Sequence, residues 1–172
     1  MLTGITDLKG ITAIAGYNDA NVDYMMGINL DEIFSERFDE KAKEVLEYVD
    51  MVLLDIKHIN PMKYKILTSV SLEHTLKFAE YLSSINKPVW VRYVLVPGYS
   101  DDEEDLHEWA KFVSQFENIE RVDILPFHQM GTYKWENLGK DYKLKDVKTP
   151  TREEVEKAEG IFKSYGLKLL EK

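Results

Sequence analysis

From residue 35 onward the chain alternates between two hydrophobic periods. Apolar residues at every third or fourth position mark one face of a helix. Phe38, Ala42, Val45 and Val49 follow that spacing over residues 35–48, and Leu72, Leu76, Ala79 and Leu82 over 71–85. Leu106, Trp109, Val113 and Phe116 predict a helix opening at Ser100. Val155, Ala158, Ile161, Phe162 and Tyr165 predict one opening at Thr151. Between these lie short runs rich in β-branched and aromatic residues, which predict strands. They are M-V-L-L-D-I-K at 51–57, V-W-V-R-Y-V-L-V at 89–96 and R-V-D-I-L-P at 121–126, with 167–170 as a last short strand.

Local chemistry punctuates the pattern. Ser35 can cap the first helix, and Ser100 with Glu103 and Thr151 with Glu154 have capping-box spacing. Gly166 suits a left-handed cap at the last helix end. Asn60-Pro61, Asn86-Lys87-Pro88 and Pro97-Gly98 read as breaks, and residues 127–150 as a long polar loop. Strand–helix alternation implies an α/β fold with a parallel sheet of βα units and right-handed crossovers. Three strong strands do not close a barrel, so a half-barrel of TIM type fits the length.

Residues 1–34 read as a separate glycine-rich segment and 35–172 as the βα domain. The first part carries four of the nine glycines and a six-residue echo, L-T-G-I-T-D, L-K-G-I-T-A, I-A-G-Y-N-D. Three units are too few to define a repeat. A strand at 11–15, and another within 22–29, would cover an exposed sheet edge.

The 172 residues suffice for one domain with a real core. A net charge of -9 argues against nucleic-acid binding, which needs a basic surface. No run is apolar enough to span a membrane, and a cytoplasmic location is the default expectation. Cysteine is absent, so this chain alone offers no thiolate ligand or nucleophile. His58, His74 and His107 lack metal-ligand spacing and read as surface residues. The five acids at 101–105 read as a solvated first helical turn, since they lack a calcium loop's glycine and spacing.

Each strong strand ends in polar groups that a core does not need. Asp55 and Lys57, two residues apart, point to one face. Arg92 faces the same way as Trp90 and Val94, and His128 follows the third strand. Parallel sheets place ligands at the carboxyl ends of strands, which brings these groups to one rim. One acceptor, two cations and an imidazole suit a ligand with a carboxylate and hydroxyl or amine groups. The plainer alternatives are a local Asp55–Lys57 ion pair, an Arg92 pair with a helix acid, and a loop histidine.

Five stretches together carry a resemblance. V-D-M-V-L-L-D-I-K-H-I-N, H-T-L-K-F-A-E-Y-L, K-P-V-W-V-R-Y-V-L-V-P-G-Y-S-D-D, I-L-P-F-H-Q-M-G-T-Y-K-W and D-Y-K-L-K-D-V-K-T-P-T resemble the activating enzymes of pyruvate formate-lyase, a group of radical S-adenosylmethionine enzymes. The likeness runs from Phe38 to the C-terminus and matches the last three βα units of a six-unit partial barrel. It implies S-adenosylmethionine as cofactor, contacted by the D-I-K residues Asp55, Ile56 and Lys57, by His128, and by Arg92 near the cofactor or an entering peptide. It implies a glycyl-radical enzyme as partner, facing residues 129–135. The family's [4Fe–4S] cluster needs a C-x3-C-x2-C loop, which is missing here, as is the family's glycine-glycine-glutamate motif. No catalytic or metal-ligating residue is therefore expected in this chain, and S-adenosylmethionine binding is expected to be weak. Three expectations follow: an activase relative unable to run the radical step alone, a non-catalytic module that binds a glycyl-radical enzyme or a complementary barrel half, or a fragment without a present role.

Overall fold

A computed structural model describes residues 12–15, 27–28, 39–68, 70–137, 139 and 142–170. The described elements are β1 (Thr12–Ala15), β2 (Gly27–Ile28), α1 (Asp39–Glu47), β3 (Met51–Asp55), α2 (Pro61–Thr68), α3 (Leu72–Ser84), β4 (Val89–Leu95), α4 (Glu103–Val113), β5 (Ile119–Pro126), a 3-10 turn (Gln129–Gly131), α5 (Thr132–Asn137) and α6 (Arg152–Ser164). The strands form one sheet in the order β2-β1-β3-β4-β5, with every pairing parallel. Beyond β5, Leu169 makes a parallel bridge to Val122, so the strand expected at 167–170 is a single bridge.

The sheet has two unlike faces because side chains alternate along each strand. Val52 and Leu54 of β3, Val89, Val91, Tyr93 and Leu95 of β4, and Val122 and Ile124 of β5 are buried in the core. Phe78, Ala79 and Leu82 of α3, Leu106, Trp109 and Val113 of α4, and Ala158, Ile161 and Phe162 of α6 pack into the same core. Trp109 stacks on Phe162 at 4.6 Å, and Tyr93 meets both rings edge-on. The opposite face carries Leu53, Asp55, Trp90, Arg92, Val94, Arg121 and Asp123, all only half-buried. In a closed barrel such residues would point inward.

Most expected elements are present, with local differences. Leu46 of α1 and Val49 just beyond it are buried, and Val45 is 40% exposed. Ser35, Phe38 and most of the six-residue echo lie outside the described residues. Asn60-Pro61 starts a helix instead of only breaking one: Asn60 Oδ1 accepts from the Met62 and Lys63 amides, and Pro61 occupies the first helical turn. α4 is capped by Asp102, whose carboxylate accepts from the Glu104 and Asp105 amides. Ser100 is withdrawn from capping because its buried hydroxyl bonds Val94 O and the Val96 amide, closing the turn after β4. Thr151 and Glu154 do form the expected capping box, and Gly166 takes the left-handed conformation at φ 78. The loop expected at 127–150 contains the 3-10 turn and α5, tied down where Gln129 Nε2 donates to the carbonyls of Leu144 and Val147.

Candidate functional site

β3 ends at Asp55, and β4 places Arg92 directly opposite in register. Asp55 Oδ1 accepts from Arg92 Nε at 2.6 Å, and Oδ2 accepts from Lys57 Nζ at 3.2 Å. One carboxylate thus holds two cations, an excess of one positive charge. The three side chains are 13%, 23% and 18% exposed, so the cluster is largely screened from bulk water without being sealed from it. The local pair and the Arg92 pair both exist, and Arg92's partner lies on the neighbouring strand rather than on a helix.

The same face continues onto β5. Asp123 stands in register with Arg92 and is bridged by Arg121 at 2.7 Å, while the Arg121 guanidinium lies 3.5 Å from the centre of the Trp90 ring. Stacking and a paired carboxylate hold that guanidinium in place. This face therefore carries fixed charges set among Leu53, Trp90 and Val94.

The remaining expected site residues sit differently. The Ile56 side chain is fully buried in the core, because it falls on the opposite parity from Asp55 and Lys57. Only its backbone lies between the two charged residues. His128 is exposed just past β5 and makes no capping bond to the turn it precedes. Asp55, Lys57 and Arg92 are brought together by direct contacts; His128 shares only the sheet end.

A second polar network lies behind the cluster. His58, expected on the surface, is 0% exposed. It continues the core-facing parity of Val52, Leu54 and Ile56 beyond the strand end, a signal present in the sequence. Its Nδ1 accepts from the Asn60 amide at 3.0 Å, which leaves the ring proton on Nε2, 3.4 Å from Asp105 Oδ2. Asp105, expected to be solvated, is buried and also takes the Lys63 ammonium. Burial pushes the His58 imidazole below its ordinary value; attraction to Asp105 opposes this and Lys63 reinforces it. Trp109 Nε1 donates to the Ile56 carbonyl at 2.9 Å.

Comparison with known proteins gives this arrangement a context. A family model described as the Radical SAM superfamily matches residues 6–110. That span covers most of the chain, including Asp55, Lys57 and Arg92. The chain belongs to the radical SAM superfamily. The match starts at residue 6, ahead of the likeness that begins at Phe38, and so takes in β1 and β2. The chain is 42% identical over 137 residues to the pyruvate formate-lyase 1-activating enzyme of Escherichia coli K12, covering 80% of this chain and 56% of that enzyme. It is 46% identical over 131 residues to the pyruvate formate-lyase-activating enzyme of Staphylococcus epidermidis, covering 76% of this chain and 51% of that enzyme. It spans about half the length of the curated relatives it matches. A crystal structure of a domain of pyruvate-formate lyase-activating enzyme from Bacteroides vulgatus superposes with a TM-score of 0.63 at 23% identity, over 76% of this chain and 72% of that one. A radical SAM methyltransferase from Sphaerobacter thermophilus gives 0.52 at 15%, over 70% and 33%. These two likenesses establish the fold, a parallel α/β sheet of partial-barrel type.

This family implies two groups, a [4Fe–4S] cluster and S-adenosylmethionine. A [4Fe–4S] cluster does not fit: the chain has no cysteine, and no group of three or more His, Asp or Glu able to hold a metal occurs among the described residues. S-adenosylmethionine fits in part. The excess positive charge on the Asp55–Lys57–Arg92 cluster suits its carboxylate, and Asp55 suits an amine or hydroxyl.

Proposed function

We propose that this chain supplies one wall of an activase-type S-adenosylmethionine site and a partner-facing loop, and that it does not run radical chemistry by itself. The single observation that carries this reading is the half-buried cluster in which Asp55 holds both Arg92 and Lys57. A purely structural pair would need one cation. The second is an additional charge taken partly out of water, which is costly unless a ligand uses it.

In this reading Lys57 and Arg92 hold the cofactor's carboxylate, Asp55 fixes both cations and accepts from an amine or hydroxyl, and His128 closes the rim from the end of β5. S-adenosylmethionine, when bound, would supply the group that reacts. The residues of this chain orient it and exclude water from one side. Residues 129–135, which carry the exposed Met130 and Tyr133, face the partner. A glycyl-radical enzyme is that partner by similarity to the activating enzymes, whose names specify pyruvate formate-lyase. Anaerobic reconstitution with iron and sulfide tests the claim. The expected result is no cluster absorbance and no 5′-deoxyadenosine; both appearing from this chain alone would refute it.

The open sheet face supports a second reading, a non-catalytic half that completes its barrel on a cysteine-bearing partner. Its charged residues on β3, β4 and β5 are half-buried, positions that would point inward in a closed barrel. Co-purification at micromolar concentration with such a chain separates the two readings.

A further inference from the structure

Two side chains of α4 reach the backbone that carries the candidate site. Asp105 and Trp109 are one helical turn apart and so share a face of α4. Trp109 bonds the carbonyl of Ile56, the residue between Asp55 and Lys57, across 53 positions of sequence. Asp105 Oδ2 lies 3.4 Å from Nε2 of His58, the residue after Lys57, an electrostatic contact and not a formed hydrogen bond. On its other side the Ile56 amide donates to Arg92 O at 3.3 Å, and the side chain is buried in the core. β3 itself ends at Asp55. At Ile56 the amide still bonds β4 while the carbonyl is taken by α4 instead, so α4 holds the outer side of the segment that bears Lys57. Trp109 is in turn locked by Phe162 and Tyr93, at 4.6 and 4.9 Å.

We propose that Trp109 and Asp105 are positioning residues, which set where Lys57 stands relative to Asp55 by pinning the two residues flanking it. The indole N–H carries the greater share, being a direct buried bond to the backbone. An apolar side chain at 109 would fill the core but leave the Ile56 carbonyl buried and unpaired, so the segment would shift toward water. This inference rests on the reading of Asp55 and Lys57 as one wall of a cofactor site.

The test compares Trp109→Phe, which keeps an aromatic ring but loses the N–H, with Phe162→Leu, which disturbs the stack but keeps the bond. Amide exchange is read at Ile56 and at Val52, whose amide is bonded to Pro88 O far from Trp109. Trp109→Phe should raise the Ile56 exchange rate about tenfold relative to Val52, and Phe162→Leu should move both together. Asp105→Asn keeps an acceptor toward His58 and should leave the ratio unchanged, whereas Asp105→Leu should raise it. Affinity for S-adenosylmethionine should fall about tenfold in Trp109→Phe, or about 1.4 kcal/mol, and stay level in Phe162→Leu. Ile56 and Val52 exchanging in parallel in Trp109→Phe would overturn the positioning claim, whatever the ligand does. A raised ratio with no cofactor binding even by the wild-type chain would instead overturn the cofactor reading and leave the positioning claim standing.

Discussion

Replacing Lys57 by Met separates a structural cluster from a binding one. The substitution nearly preserves side-chain length and removes the ammonium. Asp55 stays neutralised, because Arg92 contacts it at 2.6 Å, closer than the 3.2 Å of Lys57. What is lost is a part-exposed pair, typically worth about 0–1 kcal/mol. What is gained is relief from holding an ammonium that is only 18% exposed. These offset, so the change in stability should stay within about 0.5 kcal/mol. In urea, at a slope of about 2 kcal/mol per molar, the midpoint should move by less than about 0.3 M. Cofactor binding should respond differently. A charge-assisted hydrogen bond to a carboxylate is worth about 1.5–3 kcal/mol. From an affinity of around millimolar, about 4 kcal/mol, that loss pushes dissociation beyond about 10 mM. The assay pairs urea unfolding with an amide-shift titration by S-adenosylmethionine. Unchanged binding with stability lower by 2 kcal/mol or more would refute the reasoning and make the cluster a structural ion pair.

Further outcomes follow from the same geometry. Asp55→Asn leaves Lys57 and Arg92 facing each other without a counter-charge, so it should cost about 2–3 kcal/mol in urea unfolding, between a surface and a fully buried pair. Burial holds His58 below its ordinary value, so the unfolded chain binds more protons at mildly acid pH and stability should fall as pH drops below about 6.5. His58→Gln should flatten that slope in unfolding measured between pH 5 and pH 7.5, and an unaltered slope would assign it to other groups. Thr151→Ala breaks the capping box of α6 and should cost about 1 kcal/mol by thermal unfolding.

The sheet is legible because β3 is an apolar run, β4 is rich in β-branched and aromatic residues and β5 alternates apolar with charged positions, each bounded by turn residues. The caps at Thr151 and Gly166 were legible because they are local. Lys57 and Asp55 were readable as a pair from parity alone. Arg92's partner was not, since it depends on the register of two strands separated by a helix-bearing crossover. α2 is hidden behind Asn60-Pro61, which reads as a break although Asn before Pro also makes a cap and first turn. His58 and Asp105 read as exposed because the absence of metal-ligand or calcium-loop spacing says nothing about burial. His58 continues the buried parity of β3, and Asp105 lies on the Trp109 face of its helix. The bond from Trp109 to Ile56 has no local signature: it exists only because α4 packs against the end of β3.

The most direct measurement is an amide-shift map of the wild-type chain titrated with S-adenosylmethionine to 10 mM or so, without iron or sulfide. Saturable shifts of weak affinity are expected at Asp55, Ile56, Lys57, Arg92 and His128, confined to the ends of β3 and β5 and the Arg92 position of β4. No shift at these residues, or shifts only on the helix-covered face, would contradict the proposed site.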